Sequence, residues 1–70
     1  MKNRDYKVQV LTEDYNACVA DGETASFSEW VKLCAQSDPN FYRWLFDDDN
    51  LEDFSSGEYE EEFVNFCNAL

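Results

Sequence analysis

The stretch that decides the fold is residues 38–49, Asp38-Pro-Asn-Phe-Tyr-Arg-Trp-Leu-Phe-Asp-Asp-Asp49. Aspartate followed by proline is typical of a helix start, because the aspartate side chain accepts from an unpaired backbone N–H and the proline ring suits the first helical position. Four aromatic residues and one leucine fall within residues 41–46. By spacing, Phe41, Trp44 and Leu45 share one face, and the remaining aromatics extend the apolar surface around the helix. We therefore expect this helix to lie at the centre of a small core.

Three consecutive aspartates, Asp47, Asp48 and Asp49, follow this predicted helix. The C-terminus of a helix already carries partial negative charge, so each nearby surface anion costs about 0.3–1 kcal/mol. A segment that departs from a local rule is often functional. The three aspartates are therefore candidate functional residues.

A second helix is predicted before this stretch. Ser26-Phe-Ser-Glu29 has the spacing of a capping box, in which the serine oxygen accepts from a backbone N–H and the glutamate reaches back. The apolar stripe of an amphipathic helix follows at positions i, i+3, i+4 and i+7, namely Phe27, Trp30, Val31 and Cys34.

A final helix is predicted after residue 54. Asn50 is expected to cap a single turn with Leu51 and Phe54 as its apolar anchors, and Ser55-Ser-Gly-Glu58 has the spacing of a second capping box. The apolar face of the helix that this box would open consists of Tyr59, Phe63, Phe66 and Leu70. Its opposite face consists of Glu58, Glu61, Glu62 and Asn65.

The N-terminal segment allows two predictions. Alternating apolar residues within residues 5–11 indicate a short strand, whereas a longer three-and-four spacing from Val8 to Val19 indicates a helix. Since no second strand is evident and one strand cannot satisfy its own backbone hydrogen bonds, a helix over residues 5–20 is preferred, ended by Asp21 and a left-handed Gly22. The predicted fold is thus all-α, one domain over residues 1–70 with about four short helices. The alternative is an α+β fold with a strand at residues 5–11.

Net charge is the strongest signal of the whole chain. The chain contains five Lys and Arg residues and 16 Asp and Glu residues, which gives a net charge of −11. Residues 38–70 alone carry a net charge of −9. Such a surface repels phosphate, which argues against direct binding to nucleic acid or to anionic membranes. The longest uninterrupted apolar run, residues 17–20, is far shorter than the roughly 20 residues of a membrane span. A cytoplasmic protein is expected.

The composition argues against catalysis. The chain has no histidine, the commonest general base, and its two glycines, Gly22 and Gly57, form no phosphate-binding loop. Cys18, Cys34 and Cys67 are widely spaced among apolar neighbours and are expected to be reduced thiols. We predict no enzyme, no catalytic residue, no cofactor and no metal ligand.

The predicted function is a non-catalytic interaction module whose acidic C-terminal half docks on a basic protein surface, in the extreme form as a nucleic-acid mimic that acts as an inhibitor. Arginine and lysine bind both carboxylates and aromatic rings, so Tyr42, Trp44 and Tyr59 are expected to be partly exposed beside the acids. The candidate partner-binding residues are Asp47, Asp48, Asp49, Glu52, Asp53, Glu58, Glu61, Glu62, Tyr42, Trp44 and Tyr59.

Two alternatives stay open. Surplus aromatic residues are also compatible with a homo-oligomeric structural or assembly protein, such as a homodimer. Residues 47–53 are rich in the oxygen ligands that Ca²⁺ and Mg²⁺ prefer, although the glycine that an EF-hand loop needs at its sixth position is replaced by Glu52. These alternatives predict self-association and binding of a divalent cation, respectively.

Overall fold

Four α-helices and one 3₁₀ turn make up the computed structural model, which describes residues 4–70. The helices are α1 (Arg4–Ala20), α2 (Phe27–Ser37), α3 (Pro39–Phe46) and α4 (Glu60–Asn68), and the 3₁₀ turn (Phe54–Ser56) precedes α4. The all-α prediction is confirmed. The alternative strand at residues 5–11 is wrong, because these residues lie inside α1, where the helix pairs its own backbone groups.

The end of α1 is formed by glycine, as predicted. Gly22 has a φ of 107°, and its N–H donates to the carbonyl of Val19 at 3.0 Å. The N–H of Glu23 donates to the carbonyl of Cys18 at the same distance. These two bonds satisfy carbonyl groups that the helix itself leaves unpaired, in the arrangement of a Schellman motif.

Helices α2 and α3 are N-capped by the side chains of the predicted residues, Ser26 and Asp38. The N–H of Glu29 donates to Oγ of Ser26 at 3.2 Å. The N–H of Asn40 donates to Oδ1 of Asp38 at 3.0 Å, and Pro39 occupies the first position of α3. Both helix starts therefore follow from local sequence.

The start of α4 differs from the prediction. It begins at Glu60, after Tyr59, rather than at a capping box formed by Ser55 and Glu58. The hydroxyls of Ser55 and Ser56 donate instead to Oδ1 and the carbonyl of Asp53, at 2.6 and 2.8 Å. Asp53, and not Asn50, occupies the N-cap position of the single turn. Short polar side chains can bond to nearby backbone in several ways, and here the upstream partner is preferred.

The core is shared by all four helices and the loop before α4. Its buried members are Leu11, Val31, Ala35, Tyr42, Leu45, Phe46, Leu51, Phe63, Phe66 and Cys67. Helix α2 packs against α1, α3, α4 and the 3₁₀ turn, so α2, and not α3 as expected, is the helix around which the others are arranged. Helix α3 nevertheless contributes three of the buried side chains. Within residues 4–70, no helix combines the length and the apolar character needed to cross a bilayer.

Candidate interaction surface at the acidic end

The two acidic segments of the C-terminal half, residues 47–53 and 58–62, meet at Tyr59. Its hydroxyl donates to Oδ2 of Asp48 at 3.1 Å. Its ring stacks on Phe46, with 4.7 Å between centroids and 7° between planes. The start of α4 is thereby attached to the end of α3. We call the exposed or half-exposed acids of these two segments the acidic surface: Asp47, Asp48, Asp49, Glu52, Asp53, Glu58, Glu60, Glu61 and Glu62.

Tyr59 adopts a backbone conformation that is uncommon for an aromatic residue. Its φ of 59° lies in the left-handed region, which is sterically costly for a bulky side chain. The ring stack and the hydrogen bond to Asp48 hold it there. The hydrogen bond is also the main cause of a raised pKa of the Tyr59 phenol, with the charge of Asp48 as the next cause. Strained backbone of this kind persists only where the surrounding contacts fix it.

The loop that carries Glu52 is fixed by Arg43. The guanidinium donates from Nε to the carbonyl of Leu51 and from Nη2 to the carbonyl of Glu52 at 2.9 Å. Nη1 donates to Oδ1 of Asn40, also at 2.9 Å. Arg43 is the only cationic residue of residues 38–70, and its donors go to uncharged oxygens. The loop is therefore held without neutralising its carboxylates.

The negative charge of Asp47, the first residue of the acidic surface, is compensated by Lys7 of α1. Nζ of Lys7 lies 2.7 Å from Oδ2 of Asp47 and donates to the carbonyl of Leu45 at 3.1 Å. The Lys7 side chain is only 3% exposed, whereas that of Asp47 is 45% exposed. The expectation that all three aspartates are unfavourable at the end of α3 is thus wrong for Asp47. Within residues 4–70, Lys7 and Asp47 form the only ion pair.

Tyr42 does not belong to the surface. It is 1% exposed, so the prediction of partial exposure is wrong. Its hydroxyl donates to the carbonyl of Glu58 at 2.6 Å, and its ring meets Phe46 and Phe63 edge-on. Burial is the main cause of a raised pKa of the Tyr42 phenol, and the charge of Glu62 contributes next. Tyr42 supports the segment before α4 from within the core.

The remaining predicted residues are at least partly accessible. Exposed side chains are those of Asp47, Asp49, Glu52, Glu58, Glu61 and Glu62. Half-buried ones are those of Trp44, Asp48, Asp53 and Tyr59, so the expected partial exposure of Trp44 and Tyr59 is confirmed.

Sequence reasoning missed two residues of this end. Glu60 is exposed in the first turn of α4 and adds to the acidic surface. Lys7 was not predicted to be buried, although its position four residues before the core residue Leu11 puts both on one face of α1. That spacing was the available signal.

The carboxylates of residues 47–53 do not converge on one point where they could bind a cation together, because several of them have separate partners. Asp47 pairs with Lys7, and Asp48 accepts from Tyr59 and from the N–H of Asn50. Asp53 accepts from Ser55. Across residues 4–70, no three side chains of His, Cys, Asp or Glu converge to hold a metal ion. The divalent-cation alternative therefore has no geometric support.

Comparison of the chain with models of known protein families, with curated proteins and with solved structures found no match.

Proposed function

We propose that the protein is a non-catalytic interaction module that binds a basic protein surface through its acidic surface. The observation that supports this most is the Tyr59–Asp48 hydrogen bond, because it joins the two acidic segments through residues that are 11 positions apart in the chain. Joined in this way, the carboxylates of the loop after α3 and those at the start of α4 act as one patch.

The charge of this patch is available to a partner. Arg43 donates to carbonyl and amide oxygens, and the Lys7 ammonium is buried at Asp47. Asp49, Glu52, Glu58, Glu61 and Glu62 are exposed, which leaves their charge facing solvent. A patch of one sign accelerates encounter with a patch of the opposite sign and disfavours partners of like charge. A protein rich in exposed arginine and lysine is the matching partner.

In its most specific form, the proposal makes that partner a nucleic-acid-binding protein. Duplex DNA presents one negative charge per roughly 1.7 Å of its axis, so a protein that binds DNA already has a surface suited to dense anions. The acidic surface would then act as a nucleic-acid mimic and inhibit binding of the natural ligand. We also propose a cytoplasmic location, in keeping with the unpaired thiols of Cys18, Cys34 and Cys67.

The test compares two variants of equal charge. The first carries Asp49→Asn, Glu52→Gln, Glu61→Gln and Glu62→Gln in the acidic surface. The matched control carries Asp5→Asn, Glu13→Gln, Asp21→Asn and Glu29→Gln, which are exposed acids elsewhere. Each set removes four negative charges and changes the net charge from −11 to −7. Asp47 and Asp48 are left intact because their contacts are structural.

Both variants and the parent protein are immobilised and exposed to a lysate of the organism that encodes the protein. We expect the parent and the control to retain the same basic protein, and the acidic-surface variant to lose it. Retention should fall steeply with salt, and duplex DNA should release the retained protein. Equal loss in both variants would reject the proposed surface. Release of the retained protein by salt but not by DNA would reject the proposal of nucleic-acid mimicry and would still support a basic protein partner.

The homo-oligomeric alternative is tested on the same samples. It predicts a dimer mass at micromolar concentration that is indifferent to salt, because an aromatic interface is stabilised by apolar burial. Sedimentation of the parent protein at low and high salt measures this. A monomer at both salt concentrations would remove that alternative.

A further inference from the structure

A groove between α1 and α3 lies outside the acidic surface. The two helices are antiparallel here, since Lys7 near the start of α1 contacts Leu45 near the end of α3, and Asp14 lines the same groove as Asp38. The groove has a volume of about 320 Å³. This is near the lower limit for small-ligand sites and is suited to a single side chain.

The walls of the groove are aromatic and aliphatic. Phe41 and Trp44 form a tilted pair with ring centroids 5.9 Å apart, and both are half-buried. Val10 and the buried Leu11 line the groove from α1. Apolar rings at a concave surface offer area that an occupant can remove from water.

The groove also contains two carboxylates. Asp14 is exposed on α1, and Asp38 is exposed at the start of α3. Oδ1 of Asp38 accepts from the N–H of Asn40, which leaves Oδ2 outside that bond. An anionic occupant would be repelled by both acids. A purely apolar occupant would remove the two carboxylates from water without pairing them, which is costly.

Trp44 already binds a cation within the chain. Nζ of Lys7 lies 5.5 Å from the centroid of its ring, near the end of α3 that carries Asp47. The indole of Trp is the strongest aromatic acceptor for such contacts. An occupant of the groove that combines positive charge with a flat apolar surface would use the same property.

We propose that this groove binds an arginine side chain of a partner protein, with its guanidinium stacked on the rings of Phe41 and Trp44 and hydrogen-bonded to the carboxylates of Asp14 and Asp38. Arginine matches both features of the groove, because its guanidinium is planar, stacks on aromatic rings, is weakly hydrated and forms paired hydrogen bonds with carboxylates. The lysine ammonium is compact and strongly hydrated, so lysine should bind less well. This inference goes beyond the proposed function, since it concerns another surface and a single recognised residue type.

The test uses three blocked tripeptides, acetyl-Leu-X-Leu-amide, in which X is arginine, lysine or citrulline. Citrulline has the shape of arginine without its charge. Binding to the full chain is followed by amide and indole N–H chemical shifts during titration. We expect the arginine peptide to shift the Trp44 indole and the amides of Asp14 and Phe41, the lysine peptide to bind more weakly, and the citrulline peptide not to bind.

Two neighbouring acids on α1 provide the matched control. Asp14→Asn should weaken binding of the arginine peptide by about threefold or more, whereas Glu13→Gln, the adjacent exposed acid, should leave it unchanged. The acidic-surface variant with four substitutions should also bind the peptide normally. The proposal is overturned by equal binding of the citrulline peptide, by equal effects of Asp14→Asn and Glu13→Gln, by shifts confined to residues 47–62, or by no shift at all. None of these results bears on capture of a basic protein by the acidic surface.

Discussion

Nζ of Lys7 lies 2.7 Å from Oδ2 of Asp47, which connects the first turns of α1 to the residue that ends α3. Asp47 is in the left-handed region, with a φ of 53°, and its N–H donates back to the carbonyls of Arg43 and Trp44. The buried ammonium of Lys7 also donates a hydrogen bond to the carbonyl of Leu45. An acid at the end of a helix is unfavourable by itself, and here a buried cation reverses that effect.

The two members of this pair should respond unequally to substitution. Asp47→Asn leaves the buried Lys7 without its anion and should lower the free energy of unfolding by about 1–3 kcal/mol. Asparagine also tolerates the left-handed region, so the loss reports on charge rather than on backbone strain. Lys7→Met fills a similar volume and leaves an aspartate that water can reach, so it should cost less, about 1 kcal/mol. Urea denaturation measures both, and a larger loss for Lys7→Met would contradict this account.

Arg43→Lys should destabilise the loop that carries Glu52. Lysine keeps the charge but cannot reproduce the three donors that reach Leu51, Glu52 and Asn40. We expect a loss of about 1–2 kcal/mol in the free energy of unfolding, since more than one hydrogen bond is removed. Faster amide exchange should appear in residues 50–53. As a control, Lys32→Arg at an exposed position of α2 should change neither quantity.

Tyr42→Phe should distinguish the contribution of the Tyr42 hydroxyl to stability from the contribution of its ring. The ring contacts with Phe46, Phe54 and Phe63 remain, and the hydrogen bond to the carbonyl of Glu58 is lost. The expected loss is about 0.5–1.5 kcal/mol in the free energy of unfolding. Tyr42→Ala also leaves a cavity in the core and should cost about 3–5 kcal/mol. Similar losses for the two variants would mean that the ring contributes little.

The raised pKa of Tyr42 predicts how stability changes in alkali. Burial favours the neutral phenol, so the pKa in the folded protein lies above its ordinary value of 10.0. This contribution is fully present below pH 10 and is lost as the pH rises through the pKa of the folded state. The parent protein should therefore lose more stability above pH 10 than Tyr42→Phe does. Melting temperatures from pH 8 to 11.5 measure the difference, with Tyr6→Phe at an exposed position as the control. Parallel profiles for the parent and Tyr42→Phe would contradict the prediction.

Tyr59→Phe should weaken binding of the basic partner although every carboxylate is kept. The substitution preserves the ring stack on Phe46 and removes the hydrogen bond that joins the start of α4 to Asp48. The two acidic segments are then less firmly held together, so the patch is less well organised before binding. Affinity for the protein captured from the lysate measures this effect, again with Tyr6→Phe as the control. Unchanged affinity would show that the link is not needed.

Features of the fold that depend on a few adjacent residues were predictable from the sequence. The caps at Ser26 and Asp38 and the glycine end of α1 each require residues close together in the chain. The second capping box failed because Ser55 and Ser56 had a competing partner, Asp53, at equally short range. Local sequence identifies such partners without ranking them.

Features that depend on distant contacts were not predictable in the same way. On α3, the predicted face is Phe41, Trp44 and Leu45, whereas the structure buries Tyr42, Leu45 and Phe46. Both sets have the same helical spacing, so periodicity cannot choose between them on a helix that is apolar nearly all round. The choice is made by neighbouring side chains such as Phe63 of α4, which contacts both Tyr42 and Phe46. The burial of Lys7 likewise depends on a contact between residues 38 positions apart.

The bonds of Arg43 separate the shape of its loop from the ionisation of the neighbouring acids. Its donors to Leu51 and Glu52 end on peptide oxygens, which do not titrate. Protonation of the neighbouring carboxylates, or screening of their charge by salt, therefore leaves these two bonds intact. The position of the Leu51 and Glu52 peptide groups is thus set by Arg43, whereas the link between Asp48 and Tyr59 does depend on a carboxylate.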